Sequence, residues 1–211
     1  MKLLLQVILT CAAFSKGYPL NCYECIPGSN GKCTETTKTC PSDQTKCGSM
    51  TTTVYIGNSV LTEASAKSCA KPQECTSGSI NFGVTRTAVN TECCNTGLCN
   101  SQNTPAWSKN APNGKRCFTC NGNDCTSILN CVGDENSCLK TTVSAQGGVV
   151  TMKGCVSSNI CAAAGDLSAQ LGLGVGVSMN CCEGNLCNDA RRTMQSILLL
   201  LVPLVSTVLI Q

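Results

Sequence analysis

Cysteine is the residue type here whose number and spacing could do chemistry: 21 of them stand in 211 residues. Paired thiols either close disulfides in an oxidising compartment or hold a metal as thiolates. Twenty fall into two blocks of ten. The first holds Cys22, Cys25, Cys33, Cys40, Cys47, Cys69, Cys75, Cys93, Cys94 and Cys99; the second holds Cys117, Cys120, Cys125, Cys131, Cys138, Cys155, Cys161, Cys181, Cys182 and Cys187. Five of the nine intervals recur: steps of three, seven, six, one and five, in that order along each block. This is an internal duplication of a cysteine-rich module. Cys22-x-x-Cys25 and Cys117-x-x-Cys120 have zinc-like spacing, but neither block holds a second such pair, and the chain has no histidine. Disulfides are therefore the expected chemistry, with no metal and no cofactor. The lack of histidine also removes the usual general base. No Gly-x-Ser-x-Gly occurs, and the adjacent acids Asp134-Glu135 read as a solvated loop. An enzyme is not expected.

Both ends agree with an oxidising destination. Residues 1–17 read as a secretory signal, with Lys2, the apolar run Leu3 to Ala13 and small residues at Ala13, Ser15 and Gly17. Its removal takes away Cys11, the one cysteine outside the blocks. Ile197 to Ile210 is apolar but shorter than the roughly 20 residues of a membrane helix, and Arg191 and Arg192 precede it. Small residues at Asn188 to Ala190, a polar spacer to Ser196 and this terminus match a glycosylphosphatidylinositol (GPI) attachment signal, so residues 189–211 are expected to be removed. The acceptor is Asn188 or Asp189; the first leaves small Ala190 two places on, the second Arg191. The localisation expected is the outer leaflet of the plasma membrane through this anchor, or, failing the anchor, secretion. Between Tyr18 and Asn188 there are 11 basic against 11 acidic side chains, so the formal +3 belongs to the ends and supports no nucleic-acid partner.

What must position the cysteines is a short set of strands. Tyr23, Tyr55 and Phe82 are the aromatics of the first block and Phe118 that of the second. Cores this poor supply about 3–5 kcal/mol, and bridges of roughly 2–4 kcal/mol each make up the deficit. Ser49 to Ile56, the turn Gly57-Asn58 and Ser59 to Lys67 read as a hairpin. Leu139 to Ala145, Gln146-Gly147-Gly148 and Val149 to Lys153 read as its counterpart. Cys161 to Leu171 has the pattern of a short helical turn. Leu171 to Met179 alternates: as a strand it puts Gly172, Gly174 and Gly176 on one face, either a bare outer face or a floor that lets another backbone approach. Trp107, in the polar connector, reads as packing between domains. There is no Asn-x-Ser/Thr sequon.

The closing runs carry a family resemblance. Cys22-Tyr23-Glu24-Cys25 with Cys93-Cys94-Asn95-Thr96-Gly97-Leu98-Cys99-Asn100, and Cys117-Phe118-Thr119-Cys120 with Cys181-Cys182-Glu183-Gly184-Asn185-Leu186-Cys187-Asn188, resemble the lymphocyte-antigen-6/urokinase-receptor domain. The resemblance implies an all-β, disulfide-rich fold of two tandem three-finger domains, at 18–100 and 117–188, joined by a linker at 101–116. The family's pairing order implies Cys22–Cys47, Cys25–Cys33, Cys40–Cys69, Cys75–Cys93 and Cys94–Cys99. In the second domain it implies Cys117–Cys138, Cys120–Cys125, Cys131–Cys155, Cys161–Cys181 and Cys182–Cys187. Asn100 and Asn188 match the terminal asparagine whose amide ties the closing loop to the hub. The function implied is binding or adhesion to an extracellular protein ligand. A secreted inhibitor resembling the gamma-type phospholipase A2 inhibitors is the alternative.

Overall fold

The computed structural model describes residues 19–28, 31–108, 110–145, 148–163 and 177–189. The leader read at 1–17, the tail from Ala190 onward, and Gly172, Gly174 and Gly176 lie outside the described residues.

Strands alternate along the chain because Thr, Val and Ser dominate between the cysteines, and Gly or Asn supplies the turns. They are β1 (Asn21–Glu24), β2 (Thr36–Thr39), β3 (Lys46–Ile56), β4 (Ser59–Ala70), β5 (Gly78–Asn81) and β6 (Thr85–Cys94) in the first repeat. The second repeat has β7 (Pro112–Asn121), β8 (Asp124–Val132), β9 (Ser137–Ala145), β10 (Gly148–Val156) and β11 (Val177–Glu183). A 3-10 turn (Pro72–Glu74) and α1 (Ser158–Ala162) are the described helical pieces. Helix α1 begins before the stretch expected to be helical, because the Cys161 N–H already bonds to the Ser157 carbonyl at 3.1 Å. Strand β7 likewise starts at Pro112, inside the span read as a linker. The β3–β4 turn places Gly57 at φ 58°, the left-handed region such a turn requires. Both strands run past their expected ends, so that they carry Cys47 and Cys69 into the hub.

Pairs β1–β2 and β7–β8 form two small sheets, and the other strands form one sheet in the order β11-β9-β10-β5-β6-β3-β4. Ten cystines are closed: Cys22–Cys47, Cys25–Cys33, Cys40–Cys69, Cys75–Cys93 and Cys94–Cys99, then Cys117–Cys138, Cys120–Cys125, Cys131–Cys155, Cys161–Cys181 and Cys182–Cys187. Packing divides the chain into two compact units. One takes Met1–Ser49, Ala66–Cys75 and Glu92–Asn103; the other takes Met50–Ser65, Thr76–Thr91 and Thr104–Gln211. The division does not follow the sequence repeat. The third finger of the first repeat, β5 with most of β6, belongs to the unit that holds the second cystine hub.

In the first unit the buried core is sulfur: Cys22, Cys40, Cys47 and Cys69, with Leu20, Cys94 and Cys99 against them. The second unit repeats this with Cys117, Cys131, Cys138 and Cys155. It adds an aliphatic cluster of Leu139, Val156 and Ile160, on which Ile80, Phe82 and Met179 pack.

Candidate binding surface

Each hub is closed by an asparagine. The Asn100 side chain accepts from the Tyr23 N–H at 3.0 Å and donates to the carbonyls of Tyr23 and Gly48, both at 2.9 Å. Asn188 does the same work in the second hub, accepting from Phe118 N–H at 2.9 Å and donating to the carbonyls of Phe118 at 3.0 Å and Leu139 at 2.9 Å. Only a planar amide offers an acceptor and two donors at that span. The short cystine loops before them, Cys94–Cys99 and Cys182–Cys187, hold Leu98 and Leu186 at φ 58°, where a non-glycine residue is uncommon. The Leu98 N–H meets the Asn21 carbonyl at 2.7 Å, and the Leu186 N–H meets that of Arg116 at 2.8 Å.

A buried lysine recurs beside each closure and went unnoticed in the sequence. Lys67 and Lys153 each stand two residues before the sixth cysteine of their block. The Lys67 ammonium pairs with Glu35 at 2.6 Å, donates to the Ser101 carbonyl and lies over the Tyr23 ring. Lys153 lies over the Phe118 ring, 5.5 Å from its centre, and reaches the Cys125 carbonyl at 3.4 Å. Burial holds the Lys153 ammonium below its ordinary value, Asp189 pulls it back up, and Lys140 pushes it down. Lys153 and Asp189 line an open depression with Phe118, Asp124 and Thr126. The repeated offset from the sixth cysteine was the signal that could have found the pair.

Within each hub two cystines stack. Sulfur atoms of Cys22 and Cys40 touch at 3.2 Å, and those of Cys117 and Cys131 at 3.4 Å. Three sulfurs per hub gather closely enough to suggest a metal cage, but every one is in a cystine and has no thiolate to offer.

The Asp134-Glu135 pair departs from its reading as solvated loop. Glu135 is 0% exposed. Its carboxylate accepts from Ser79 Oγ at 2.7 Å, Arg86 Nε at 2.9 Å, Asn81 Nδ2 at 3.2 Å and the Val132 N–H at 3.0 Å. The Arg86 guanidinium also reaches Asn110 and lies over the Tyr55 ring. This is charge-assisted bonding on every side of one buried carboxylate. It seats the third finger of the first repeat in the second unit. There β5 pairs with β10, Cys155 opposite Asn81 and Val156 opposite Ile80. The Ser79 and Ser157 backbones and hydroxyls lock beside it: Ser157 N–H to the Ser79 carbonyl, and Ser79 N–H to Ser157 Oγ, both at 2.9 Å. The connector follows the same unit, with Thr51 Oγ1 donating to the Thr104 carbonyl, Asn90 to that of Pro105 and Tyr55 to that of Trp107. Trp107 itself is half-buried.

Large apolar side chains stand exposed at the finger ends. Val60, Leu61 and Val84 are among the most exposed large apolar side chains, as are Val149 and Val150 in the second repeat. The Gly57 N–H bonds to the Val84 carbonyl at 2.9 Å, which brings the middle-finger turn of the first repeat beside its third finger.

The model of the u-PAR/Ly-6 domain family matches residues 19–102 and 113–190. The chain is 27% identical over 186 residues to the urokinase plasminogen activator surface receptor of Rattus norvegicus, covering 83% of this chain and 56% of that protein. It is 32% identical over 117 residues to the Bos taurus receptor, covering 49% of this chain and 33% of that one. Phospholipase A2 inhibitor NAI of Notechis ater is 30% identical over 177 residues, covering 76% of this chain and 86% of the inhibitor. The chain thus spans little more than half the length of the rat receptor.

Proposed function

The chain belongs to the u-PAR/Ly-6 domain family, and from that premise we propose that it is a non-catalytic, GPI-anchored surface protein whose fingers bind an extracellular protein. The observation that carries this reading is the pairing of rigid cystine hubs with exposed aliphatic finger ends. Stiff scaffolds with solvent-facing loops suit recognition, because little ordering entropy is lost on contact. The anchor rests on the terminal sequence, with Asn188 or Asp189 as acceptor. Among the described residues no helix is long and apolar enough to cross a membrane. Phosphatidylinositol-specific phospholipase C should release the protein from intact cells expressing the full chain. Retention on the cells would overturn the anchor.

A second reading is favoured by one finding: the match runs along 86% of the phospholipase A2 inhibitor. A secreted inhibitor of that enzyme would slow lipid hydrolysis when the purified ectodomain is titrated against secreted phospholipase A2. Unchanged hydrolysis at ectodomain excess would remove it.

A further inference from the structure

The two repeats have diverged in loop length, charge and third finger, yet both open the return strand of the middle finger alike. Ser59-Val60-Leu61-Thr62 begins β4 and Gly148-Val149-Val150-Thr151 begins β10. The aliphatic pair is exposed in both places: 56% and 62% for Val60 and Leu61, 66% and 55% for Val149 and Val150. One exposed valine would mean nothing. The same pair at the same station of two diverged copies is a different matter, because burial in the protein's own core does not account for it.

The backbone there is also available. Among the described strands β4 ends its sheet, with β3 as its neighbour. Near the hub its outer edge is already used: Lys67 N–H and C=O both bond to Cys25, each at 2.9 Å, in an antiparallel bridge. Backbone groups on an antiparallel strand alternate in direction. Leu61, Glu63 and Ser65 therefore direct their N–H and C=O outward, on the side where Cys25 stops. Glu63 is the one charge between Ile56 and Ala66.

We propose that the outer edge of β4, from Ser59 to Ser65, is a docking strand for an extended segment of a protein partner. That segment adds as a further antiparallel strand. It has aliphatic side chains at the level of Val60 and Leu61 and a lysine or arginine facing Glu63. The site's own chemistry selects this occupant. Main-chain hydrogen bonds supply affinity in strand addition, alternate side chains supply specificity, and an opposite charge across the pair is favourable. Lipid is disfavoured, because residues 56–62 hold no lysine, arginine, tryptophan or tyrosine to meet headgroups. The inference deepens the proposed binding function by naming the partner's chemistry, and it does not depend on the anchor.

The test uses the folded two-domain protein in solution and a labelled synthetic strand that alternates valine and threonine around one central lysine. Binding should protect the amides of Leu61, Glu63 and Ser65 from hydrogen exchange. Leu61→Pro removes an outward N–H, Leu61→Lys keeps the backbone and removes the aliphatic contact; each should weaken binding at least tenfold. Methylating the peptide amides that face β4 should do the same. Binding that tolerates amide methylation and both substitutions, or no binding at all, overturns the proposal. Self-association abolished by Leu61→Pro would assign the edge to a second copy and equally overturn it. Failure here leaves phospholipase release untouched, so the two readings fail separately.

Discussion

Replacing Glu135 by alanine removes the acceptor of four donors at once: Ser79 Oγ, Asn81 Nδ2, Arg86 Nε and the Val132 N–H. Leaving one partner of a buried ion pair bare costs about 3–5 kcal/mol. The neutral donors would each add about 1–3 kcal/mol if they acted independently. They share a single acceptor and relax together, so the expected loss is about 5 kcal/mol in total. The cystines keep both hubs closed, so the loss appears as local opening of the third finger rather than global unfolding. Amide exchange at Ser79 and Ser157, whose N–H groups lock β5 to the second unit, should accelerate by roughly a thousandfold or more. Guanidinium titration under non-reducing conditions, followed by exchange and by Trp107 fluorescence, reads both effects. The companion cycle with Arg86→Met should give a coupling of at least about 1.5 kcal/mol. A loss below about 1 kcal/mol for Glu135→Ala, or unchanged exchange at Ser79, would refute the claim that this carboxylate seats the finger.

The hub asparagines should be equally intolerant: Asn100→Asp and Asn188→Asp each turn two donated bonds into carboxylate–carbonyl repulsion, and secreted yield of correctly bridged protein should fall in both. Gly154→Ala should displace β5, because an added Cβ would stand 2.0 Å from the Asn81 carbonyl oxygen; loss of exchange protection at Ser157 checks it. A protease site inserted after Trp107 should leave the two fragments co-eluting once cut, since β5, β6 and the Glu135 cluster stay seated; fragments that separate would contradict this. Burial depresses the Lys153 ammonium below 10.5, so the unfolded chain binds more protons between the lowered value and 10.5. That contribution is fully present above 10.5 and is lost as pH falls through the lowered value. Lys153→Met should flatten the rise in urea midpoint with pH across that window.

Much of the scaffold was legible because its signals are local in the chain. Cysteine spacing repeats in register whatever the loops do, and β-branched runs broken by Gly57-Asn58 can form little but a hairpin. The all-β class and the two modules followed from such patterns. The third finger was harder. Gly78 to Asn81 reads as an ordinary short strand, and nothing in it says that Asn81 will pair with Cys155. The acid pair was misread for the same reason: Asp134-Glu135 looks like any solvated turn until Arg86 and Ser79 arrive from 49 and 56 residues away.

From composition and spacing alone come the compartment, the duplicated cysteine frame, the hairpins and the poverty of apolar core. Each depends on neighbours within a few residues or on the thiol's own redox chemistry. Folding alone decided where the compact units divide, which charges are buried and which of the described strands ends its sheet. Those outcomes depend on surfaces meeting across long stretches of chain, where desolvation and hydrogen-bond geometry choose among alternatives that look equal in one dimension.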